Sequence, residues 1–354
     1  MSAESKKKPL PFEPRKKLRI IVLAHEDLVP PDTLDGLTDK EKLEVKTEFD
    51  VISTLKKMGH EVYPIGLYNQ LNVIGNALLE HKPHIAFNLL EEFHGYPLYD
   101  QHVVSYLELM KQPYTGCNPR GLTLAHDKAL TKMILSYHRI QVPNFAVFSI
   151  NRKVRRPKRL KFPLLVKSIS EEGSVGIAQA SIVHDDEKLT QRVEFIHRQN
   201  KTHAIAEQFI KGREIYVGLI GNQNIQTYTP WELVMEKLPE GAENIATLKV
   251  KWDPDYQERV GVKTKAAELS SEQQKTLERL SKRIYRYLFL SGYARLDYRM
   301  TEDGQFYLIE ANPNPQIACN EDFADSADHS GVPYDELLQK IITVGLNYQG
   351  RQLT

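Results

Sequence analysis

The sequence predicts a mixed α/β and α+β protein, in which an N-terminal parallel-sheet domain precedes two smaller α+β units. Short apolar runs alternate with helical patterns over the first third of the chain, and this alternation is typical of a parallel sheet covered by helices. Longer strand patterns and one strongly amphipathic helix follow, without a repeat of fixed period. At 354 residues, 41% of them apolar and 26% charged, the chain is long enough for two or three globular domains.

The first domain is predicted to span residues 18–125, after a basic, proline-rich and disordered tail at residues 1–17. The run Leu18 to Ala24 is apolar enough for a buried parallel strand, and "EVYPIGL" and "HIAFNLL" predict two more strands. Helical patterns between and after these strands cover residues 40–58, 71–81 and 99–110. Gly59 is typical of a helix end, because glycine takes the left-handed conformation that closes a helix.

The second unit is predicted over residues 126–210 and the third over residues 211–354. A helix begins after Asp127, a good N-cap residue. The remaining strands of the second unit are predicted in "FAVFSI", "FPLLVKSI", "ASIVH" and "HAIAEQFI", with a helix in "DDEKLTQRVEFIHRQ". The third unit begins with the strand "REIYVGLIG" and continues with long strands, the helix "SEQQKTLERLSKRIYRYLFL", a hairpin and a C-terminal helix near Tyr334.

Composition argues against several classes of function. The formal charge of +1 gives no general attraction to nucleic acid or to a membrane surface. The N-terminus lacks an apolar signal segment, and no run of 18 apolar residues is present. Cys117 and Cys319 make no disulfide framework and fit a reducing compartment. We therefore expect a cytoplasmic protein without nucleic-acid or membrane partners, and we expect the basic segment 151–161 to be a solvated loop, with an anion-binding loop as the alternative.

The segment "ARLDYRMTEDGQFYLIEANPNP", residues 294–315, predicts a hairpin with one polar face. The Asp-Gly pair in its middle favours a two-residue type I′ turn. That turn sets Asp297 opposite Glu310 and Arg295 opposite Asn312. Because residues i and i+2 of a strand share a face, these four side chains are predicted to form a polar square.

The opposite face of this hairpin carries Leu296, Tyr298 and Ile309, which are predicted to point into the core. Two carboxylates directly opposite each other repel unless a cation lies between them. Carboxylate and amide oxygens are hard ligands that suit Mg²⁺. The square is therefore a candidate metal site, and an ordinary solvated hairpin face is the alternative.

Two lysines are candidate phosphate ligands. Lys167 ends a strand and precedes a loop that contains Gly173 and Gly176. Glycines let the backbone approach a phosphate closely, and the lysine supplies a charge for its oxygens. Lys128 directly follows the helix cap Asp127. A solvated lysine is the alternative at each position.

Two glutamates lie on neighbouring predicted strands around the turn Lys211-Gly212. Glu207 ends the first of these strands and Glu214 lies near the start of the second. Carboxylates in such positions can accept hydrogen bonds from an adenine amine or from ribose hydroxyls. Acids that face solvent on an ordinary hairpin are the alternative.

The order of these motifs resembles the ATP-grasp superfamily and, within it, the D-alanine–D-alanine ligase group. The segments "YTGCNPRGLTLAHDKALTK", "FPLLVKSISEEGSVGI", "EQFIKGRE" and "ARLDY…LIEANPNP" occur in the family's order. The resemblance covers roughly residues 84–317. It implies an ATP-grasp fold, in which two α+β subdomains clasp ATP behind the N-terminal domain.

The resemblance also implies a role for each matching residue. The nucleotide-binding positions are Lys128, Lys167, Glu172, Gly173, Ser174, Glu207, Gln208, Phe209, Ile210 and Glu214. The two lysines and the glycine loop would meet the phosphates, and the others would lie near adenine and ribose. Asp297, Glu310 and Asn312 would hold two Mg²⁺ ions, with Mn²⁺ as an alternative metal. Arg295 would stabilise the transferring phosphoryl group, and Lys251 would lie on a loop that closes over ATP.

The implied function is an ATP-dependent carboxylate–amine ligase that works through an acyl phosphate on small-molecule substrates, as a homodimer by family analogy. Two departures from the family predict substrates other than two D-alanines. The glycine-rich turn and serine–glutamate pair of the family are absent after the first strand, and "QIACNEDFADSADHSG" replaces a serine–leucine pair after the hairpin.

The acidic run after the hairpin favours a cationic or amine-bearing acceptor. Glu321, Asp322 and Asp325 are its candidate ligands, and acids that face solvent are the alternative. Two other functions stay open at this point. One is a non-catalytic ATP-binding regulatory protein of the same fold, and the other is a phosphotransferase that acts on a hydroxyl group.

Overall fold

The computed structural model describes residues 17–169, 177–239 and 241–348. Its strands are β1 Arg19–His25, β2 Glu61–Leu67, β3 Ile85–Asn88, β4 Phe145–Phe148, β5 Leu164–Ser168, β6 Ile182–Val183, β7 Ala204–Gln208, β8 Arg213–Ile220, β9 Gln226–Thr227, β10 Trp231–Met235, β11 Val262–Ala266, β12 Tyr293–Met300 and β13 Phe306–Pro313. Its helices are α1 Asp39–Glu44, α2 Lys46–Lys57, α3 Leu71–His81, α4 Asp100–Leu109, α5 Pro119–His126, α6 Lys128–Tyr137, α7 Asp186–Gln199, α8 Leu248–Trp252, α9 Pro254–Val260, α10 Ser271–Tyr287, α11 Asp322–His329 and α12 Tyr334–Leu346. Short 3-10 turns cover Glu26–Leu28, Pro97–Tyr99 and Gln179–Ser181.

The N-terminal sheet is parallel, with strand order β2-β1-β3, as the alternating pattern predicts. The side chains of β1 are buried from Ile20 to Ala24, which explains its uninterrupted apolar run. The single helix predicted over residues 40–58 is in fact two helices, because Val45 leaves the helical conformation between α1 and α2 (φ −98°, ψ 8°). Gly59 has φ +89° after α2, as expected for a helix end.

The central sheet is antiparallel, with strand order β4-β7-β5-β6. Helix α7 packs its buried residues Leu189, Val193 and Ile196 against this sheet. The basic segment 151–161 connects β4 to β5 without regular structure, as expected for a loop. Most of its cationic residues are exposed.

The third sheet has the order β11-β10-β8-β12-β13, with β9 paired to β8, and its ladders are antiparallel. Helix α12 returns to the N-terminal sheet, where Leu337 and Ile341 share a core with Ile20 and Val22. Each predicted unit contains one of the three sheets, and we propose the division 18–125, 126–210 and 211–354 with α12 as a C-terminal addition to the first core. Residues 1–16 of the predicted tail lie outside the described ranges.

The hairpin of β12 and β13 has the predicted pairs but not the predicted turn. Asp297 lies opposite Glu310 and Arg295 opposite Asn312. However, the Thr301 amide donates to the Gln305 carbonyl, which makes the loop one residue longer than a type I′ turn. A bulge between Asp297 and Tyr298 compensates for the extra residue.

The bulge changes which side chains of β13 face the core. Leu308 lies opposite Tyr298 and is 1% exposed. Ile309, which was expected in the core, instead lines a cleft together with Glu310. The bulge therefore places two consecutive residues of one strand against the same cavity.

Within the described residues, no helix is both long and apolar enough to cross a membrane.

Candidate active site

The main candidate site is a cleft between the central sheet and the third sheet. Its walls are formed by Pro143, Leu165, Lys167, Ile177, Glu207, Gln208, Phe209, Ile210, Glu214, Ile245, Ala246, Asp297, Tyr298, Arg299, Ile309 and Glu310. The apolar members suit a flat ring, and the charged members lie among them. The structure thus brings eight of the sequence-predicted site residues into one cavity, from Lys167 through the segment 207–210 to Glu214, Asp297 and Glu310.

Two buried lysines reach this cleft from one face of α6. Lys128 is 5% exposed and Lys132 is 1% exposed, although lysine is rarely buried without a partner. The Asp127 side chain accepts hydrogen bonds from the first turn of α6 and so fixes where the helix begins. Lys128 and Lys132 are separated by one helical turn and therefore point the same way.

Lys132 joins three elements of the site, although it was not among the residues predicted from the sequence. Its Nζ lies 3.2 Å from Glu207 Oε1 on β7 and donates to the Ile309 carbonyl at 2.6 Å. Burial lowers the pKa of Lys132 to about 8, although the nearby Glu207 carboxylate opposes that shift. The sequence contained a signal for Lys132, because Lys132 lies on the same face of α6 as the buried Leu135.

Glu207 and Lys167 pair across the central sheet. Residue Leu165 lies opposite Glu207, and Lys167 is two residues further along β5 on the same face. Lys167 Nζ is 3.3 Å from Glu207 Oε1, and Glu207 is only 1% exposed. One buried carboxylate therefore holds two ammonium groups at the floor of the cleft, and the contact of Glu207 with adenine or ribose stays a prediction.

The polar square of the hairpin is present in the structure. Arg295 donates to both oxygens of Asp297, at 2.8 and 3.0 Å, and the Asn312 amide donates to Asp297 Oδ2 at 2.9 Å. Glu310 Oε1 lies 2.8 Å from Lys128 Nζ. The carboxylates of Asp297 and Glu310 are thus each next to a cation.

These residues fit a hard divalent metal. Two carboxylates and one side-chain amide lie at paired positions of the hairpin, and magnesium prefers the oxygen donors that such groups carry. Burial disfavours the charge on Arg295, but Asp297 outweighs it and raises the pKa of Arg295 above its ordinary value. Arg295 is therefore a permanent cation beside the candidate metal ligands.

Glu214 is held on both of its oxygens. The Tyr216 hydroxyl donates to Oε1 at 2.8 Å, and Arg299 donates to Oε2 at 2.6 Å. Neither Tyr216 nor Arg299 was singled out from the sequence. Tyr216 lies two residues after Glu214 on β8, and Arg299 lies two residues after Asp297 on β12. Because residues i and i+2 of a strand share a face, both could have been found from the sequence.

The acids predicted to contact an acceptor lie around the start of α11. Glu321 pairs with Lys46 at 2.6 Å, which connects α11 to α2. Burial raises the pKa of the Asp322 carboxyl, although Arg295 and a hydrogen bond from Thr264 oppose it. Burial and the neighbouring Glu321 carboxylate raise the pKa of Asp325. Their contact with an acceptor stays a prediction.

Four predicted residues cannot be placed in the site. Glu172, Gly173 and Ser174 lie outside the described residues. Lys251 falls in α8, and its side chain lies outside the described atoms. Their roles in binding and closing over a nucleotide stay predictions.

Comparison with known proteins gives one family. The family model "D-ala D-ala ligase C-terminus" matches residues 134–343. An uncharacterized protein of Sinorhizobium fredii is 30% identical over 83% of this chain and 85% of its own length. A D-alanine–D-alanine ligase of Aquifex aeolicus is 27% identical over 88% of this chain and 98% of its own length.

The fold agrees with this result. The crystal structure of the D-alanine–D-alanine ligase from Bacillus anthracis, complexed with ATP, superposes with a TM-score of 0.71 at 25% identity. The superposition covers 93% of this chain and 97% of the other. The predicted ATP-grasp fold is therefore confirmed.

Proposed function

The chain belongs to the D-alanine–D-alanine ligase family of ATP-grasp proteins, and from that premise we propose that it is an ATP-dependent carboxylate–amine ligase with substrates other than two D-alanines. The family is one of ATP-dependent ligases. The observation that carries the proposal is the grouping of Asp297, Glu310 and Asn312 with Arg295 on one face of the hairpin, where Asp297 and Glu310 line the cleft. A protein that only binds ATP has little use for a fixed cation beside the metal ligands.

The nucleotide would lie along the cleft. Phe209 and Ile210, each under 10% exposed, would flank the base with the other apolar residues of the wall. Glu214 would accept from the ribose, and Gln208 lies beside them. Lys128 and Lys167 would meet the phosphates, since their ammonium groups are held at the floor by Glu310 and Glu207.

Asp297, Glu310 and Asn312 would hold magnesium, for which Mn²⁺ is an alternative, and two ions are proposed. When bound, the metal would neutralise phosphate oxygens during transfer. Arg295 is the chain's own contribution to the same task, because its guanidinium stays charged and is fixed by Asp297. Lys251 would help to exclude water if it closes over the phosphates, as the family resemblance implies.

The proposed reaction has two steps. A substrate carboxylate oxygen attacks the γ-phosphorus of ATP, and the bond from the γ-phosphorus to the β-phosphate oxygen breaks. ADP departs, and the substrate is now an acyl phosphate. The amine nitrogen of the second substrate then attacks the acyl carbonyl, phosphate departs, and the amine loses a proton. Holding both substrates beside the γ-phosphate would supply much of the rate.

The substrates are proposed to differ because an acidic run stands where the family has its serine–leucine pair. Glu321, Asp322 and Asp325 lie at the start of α11, and of these Asp322 is close to Arg295 and Asp297. A substrate carboxylate that meets these acids without a partner would cost several kcal/mol, on the order of the penalty for an unpaired buried charge. A cationic or amine-bearing acceptor fits them better. We also propose that the protein is cytoplasmic and, by family analogy, a homodimer.

The test is a screen of amino acids and dipeptides, alone and in pairs, for phosphate release from Mg-ATP, followed by mass spectrometry of the products. The proposal predicts release that requires both a carboxylate and an amine, with a product mass equal to their sum less one water. Phosphorylated product would instead indicate a phosphotransferase. Binding of ATP without release under every pair would favour the regulatory protein.

A further inference from the structure

The side chain of Tyr216 connects Glu214, which lines the cleft, to Arg295, which lies beside the candidate metal ligands. On β8 it lies two residues after Glu214, and across the ladder it pairs with Asp297 of β12. Its hydroxyl donates to Glu214 at the proposed ribose end. Its ring lies beneath the Arg295 guanidinium, whose carbon is 4.6 Å from the ring centroid at the metal end.

The rest of the network fixes both partners of Tyr216. Arg299 holds the second oxygen of Glu214 and also donates to the Gly212 carbonyl at 3.0 Å. Arg295 is fixed in its turn by the two hydrogen bonds to Asp297. A continuous chain of contacts therefore runs from Arg299 through Glu214, Tyr216 and Arg295 to the candidate metal ligands.

We propose that Tyr216 is a positioning residue for the ligase reaction, whose hydroxyl orients Glu214 for the nucleotide and whose ring supports Arg295 for phosphoryl transfer. This inference rests on the proposed function. Tyr216 is 4% exposed and packs with Trp231 and Leu233, so it acts through its two neighbours rather than on the substrate.

The chemistry of a buried tyrosine suits both tasks. The Tyr216 hydroxyl donates to Glu214 at 2.8 Å, and burial together with the Glu214 carboxylate raises the pKa of Tyr216 above its ordinary value. A carboxylate already fixed by two donors loses less conformational freedom when a ribose hydroxyl binds. The face of an aromatic ring attracts a guanidinium, and this contact keeps Arg295 from turning away from Asp297.

Two substitutions separate the two tasks. Tyr216→Phe removes the hydroxyl and keeps the ring, while Tyr216→Leu removes both. Tyr228→Phe is the matched control, because Tyr228 is also buried and its hydroxyl has no hydrogen-bond partner in the described part of the chain. Each protein is measured for Mg-ATP binding by calorimetry and for kcat of phosphate release at saturating Mg-ATP.

We expect Tyr216→Phe to raise the Kd for Mg-ATP about three- to tenfold, as loss of one hydrogen bond to a charged group would, and to leave kcat within about twofold. Tyr216→Leu should show the same rise in Kd and a further fall in kcat of about tenfold or more, because Arg295 loses its support. Tyr228→Phe should change neither quantity. A purely structural role would not separate Kd from kcat in this way.

A second pair of variants keeps the test decisive if Tyr216→Leu fails to fold. Arg299→Met frees the other oxygen of Glu214, and its effect on Kd should be less than additive with that of Tyr216→Phe, since both act on one carboxylate. An unchanged Kd in Tyr216→Phe, or fully additive effects, would overturn the inference while the wild type still binds Mg-ATP. A wild-type protein that binds no Mg-ATP would overturn the proposed function and this inference together.

Discussion

The floor of the cleft and the edge of the N-terminal sheet differ in how deeply their polar side chains are buried. At the floor, Lys132, Lys167 and Glu207 are each less than 5% exposed, and they pair with one another. At the edge, a ladder of mostly exposed rings runs from the carboxyl ends of β1 and β2 through the segment after β3 to α4. The ladder consists of His25, Tyr68, His94, Tyr96, Tyr99 and His102, with neighbouring centroids 4.9 to 6.4 Å apart.

The difference indicates which of these two regions has a fixed geometry. Buried ion pairs need well-satisfied geometry, so the floor suits one constant ligand such as a nucleotide phosphate. At the edge, Tyr68 is 38% exposed and Tyr96 is 57% exposed, so fewer packing contacts restrain their side chains. Ligands of open parallel sheets bind beyond the carboxyl ends of the strands. On the proposed function, we expect the edge and the acids of α11 to contact the variable substrates.

The largest expected effect comes from removing one charge at the metal end of the floor. Glu310→Gln keeps the shape of the side chain but removes the ionic partner of Lys128 and weakens what we propose to be a metal ligand. We expect turnover of Mg-ATP to fall roughly a hundredfold or more, with little change in the fold. The measurement is phosphate release together with thermal unfolding.

Glu302→Gln is the matched control for this prediction, because Glu302 is an exposed residue at the turn of the same hairpin. Its turnover should equal that of the wild type. Unchanged turnover in Glu310→Gln would show that Glu310 is not part of a metal site. It would also contradict the account of a fixed floor.

A smaller effect is expected on stability when the floor loses Lys132. Lys132→Met leaves the buried Glu207 with Lys167 as its partner and frees the Ile309 carbonyl. Breaking a buried ion pair from one side costs about 3 kcal/mol, and we expect a loss of that order in the free energy of unfolding in urea.

The exposed Lys188 of α7 supplies the control for Lys132→Met. Lys188→Met should change the free energy of unfolding by less than about 0.5 kcal/mol. Equal effects of the two substitutions would mean that the floor is no more fixed than the protein surface.

Patterns with a regular period were enough to predict the helices and strands, but the local irregularities of the structure could not be predicted from the sequence. Helix α3 has the predicted bounds, Leu71–His81, because its apolar face repeats without interruption. The turn of the hairpin was predicted wrongly, since Thr301 and its neighbours bond within a longer loop that the Asp-Gly pair does not specify. The bulge that restores the register depends on contacts with other elements.

The same limit applies to the site. The square around Asp297 follows from counting along two strands, and its pairing is confirmed. Lys132 was missed because its partners, Glu207 and the Ile309 carbonyl, are 75 and 177 residues away along the chain (207 less 132, and 309 less 132). Only the assembled sheets bring them together.

The smallest expected effect is a change of stability with pH. Because the folded-state pKa of Lys132 is about 8 and its ordinary value is 10.5, the unfolded chain binds more protons at this residue between these pH values. Its contribution to stability therefore increases as pH rises through that range, by at most about 1.4 kcal/mol per pH unit. Glu207, Lys167 and Glu310 are the charged groups that act on it.

The check is the difference in unfolding free energy between the wild type and Lys132→Met at pH 8 and at pH 9.5. The stability advantage of the wild type should grow with pH. A difference that shrinks over this range would show that Lys132 is not held in a desolvated floor.

The central claim is that the protein keeps the nucleotide end of the family and has a different acceptor end. Steady-state phosphate release with D-alanine as the sole substrate tests both halves, when Mg-ATP binding is measured on the same sample. We predict that Mg-ATP binds and that D-alanine does not raise phosphate release above its basal rate. A rate constant of about 10 per second with a KM of about 1 mM or below, typical of dedicated enzymes, would contradict the claim.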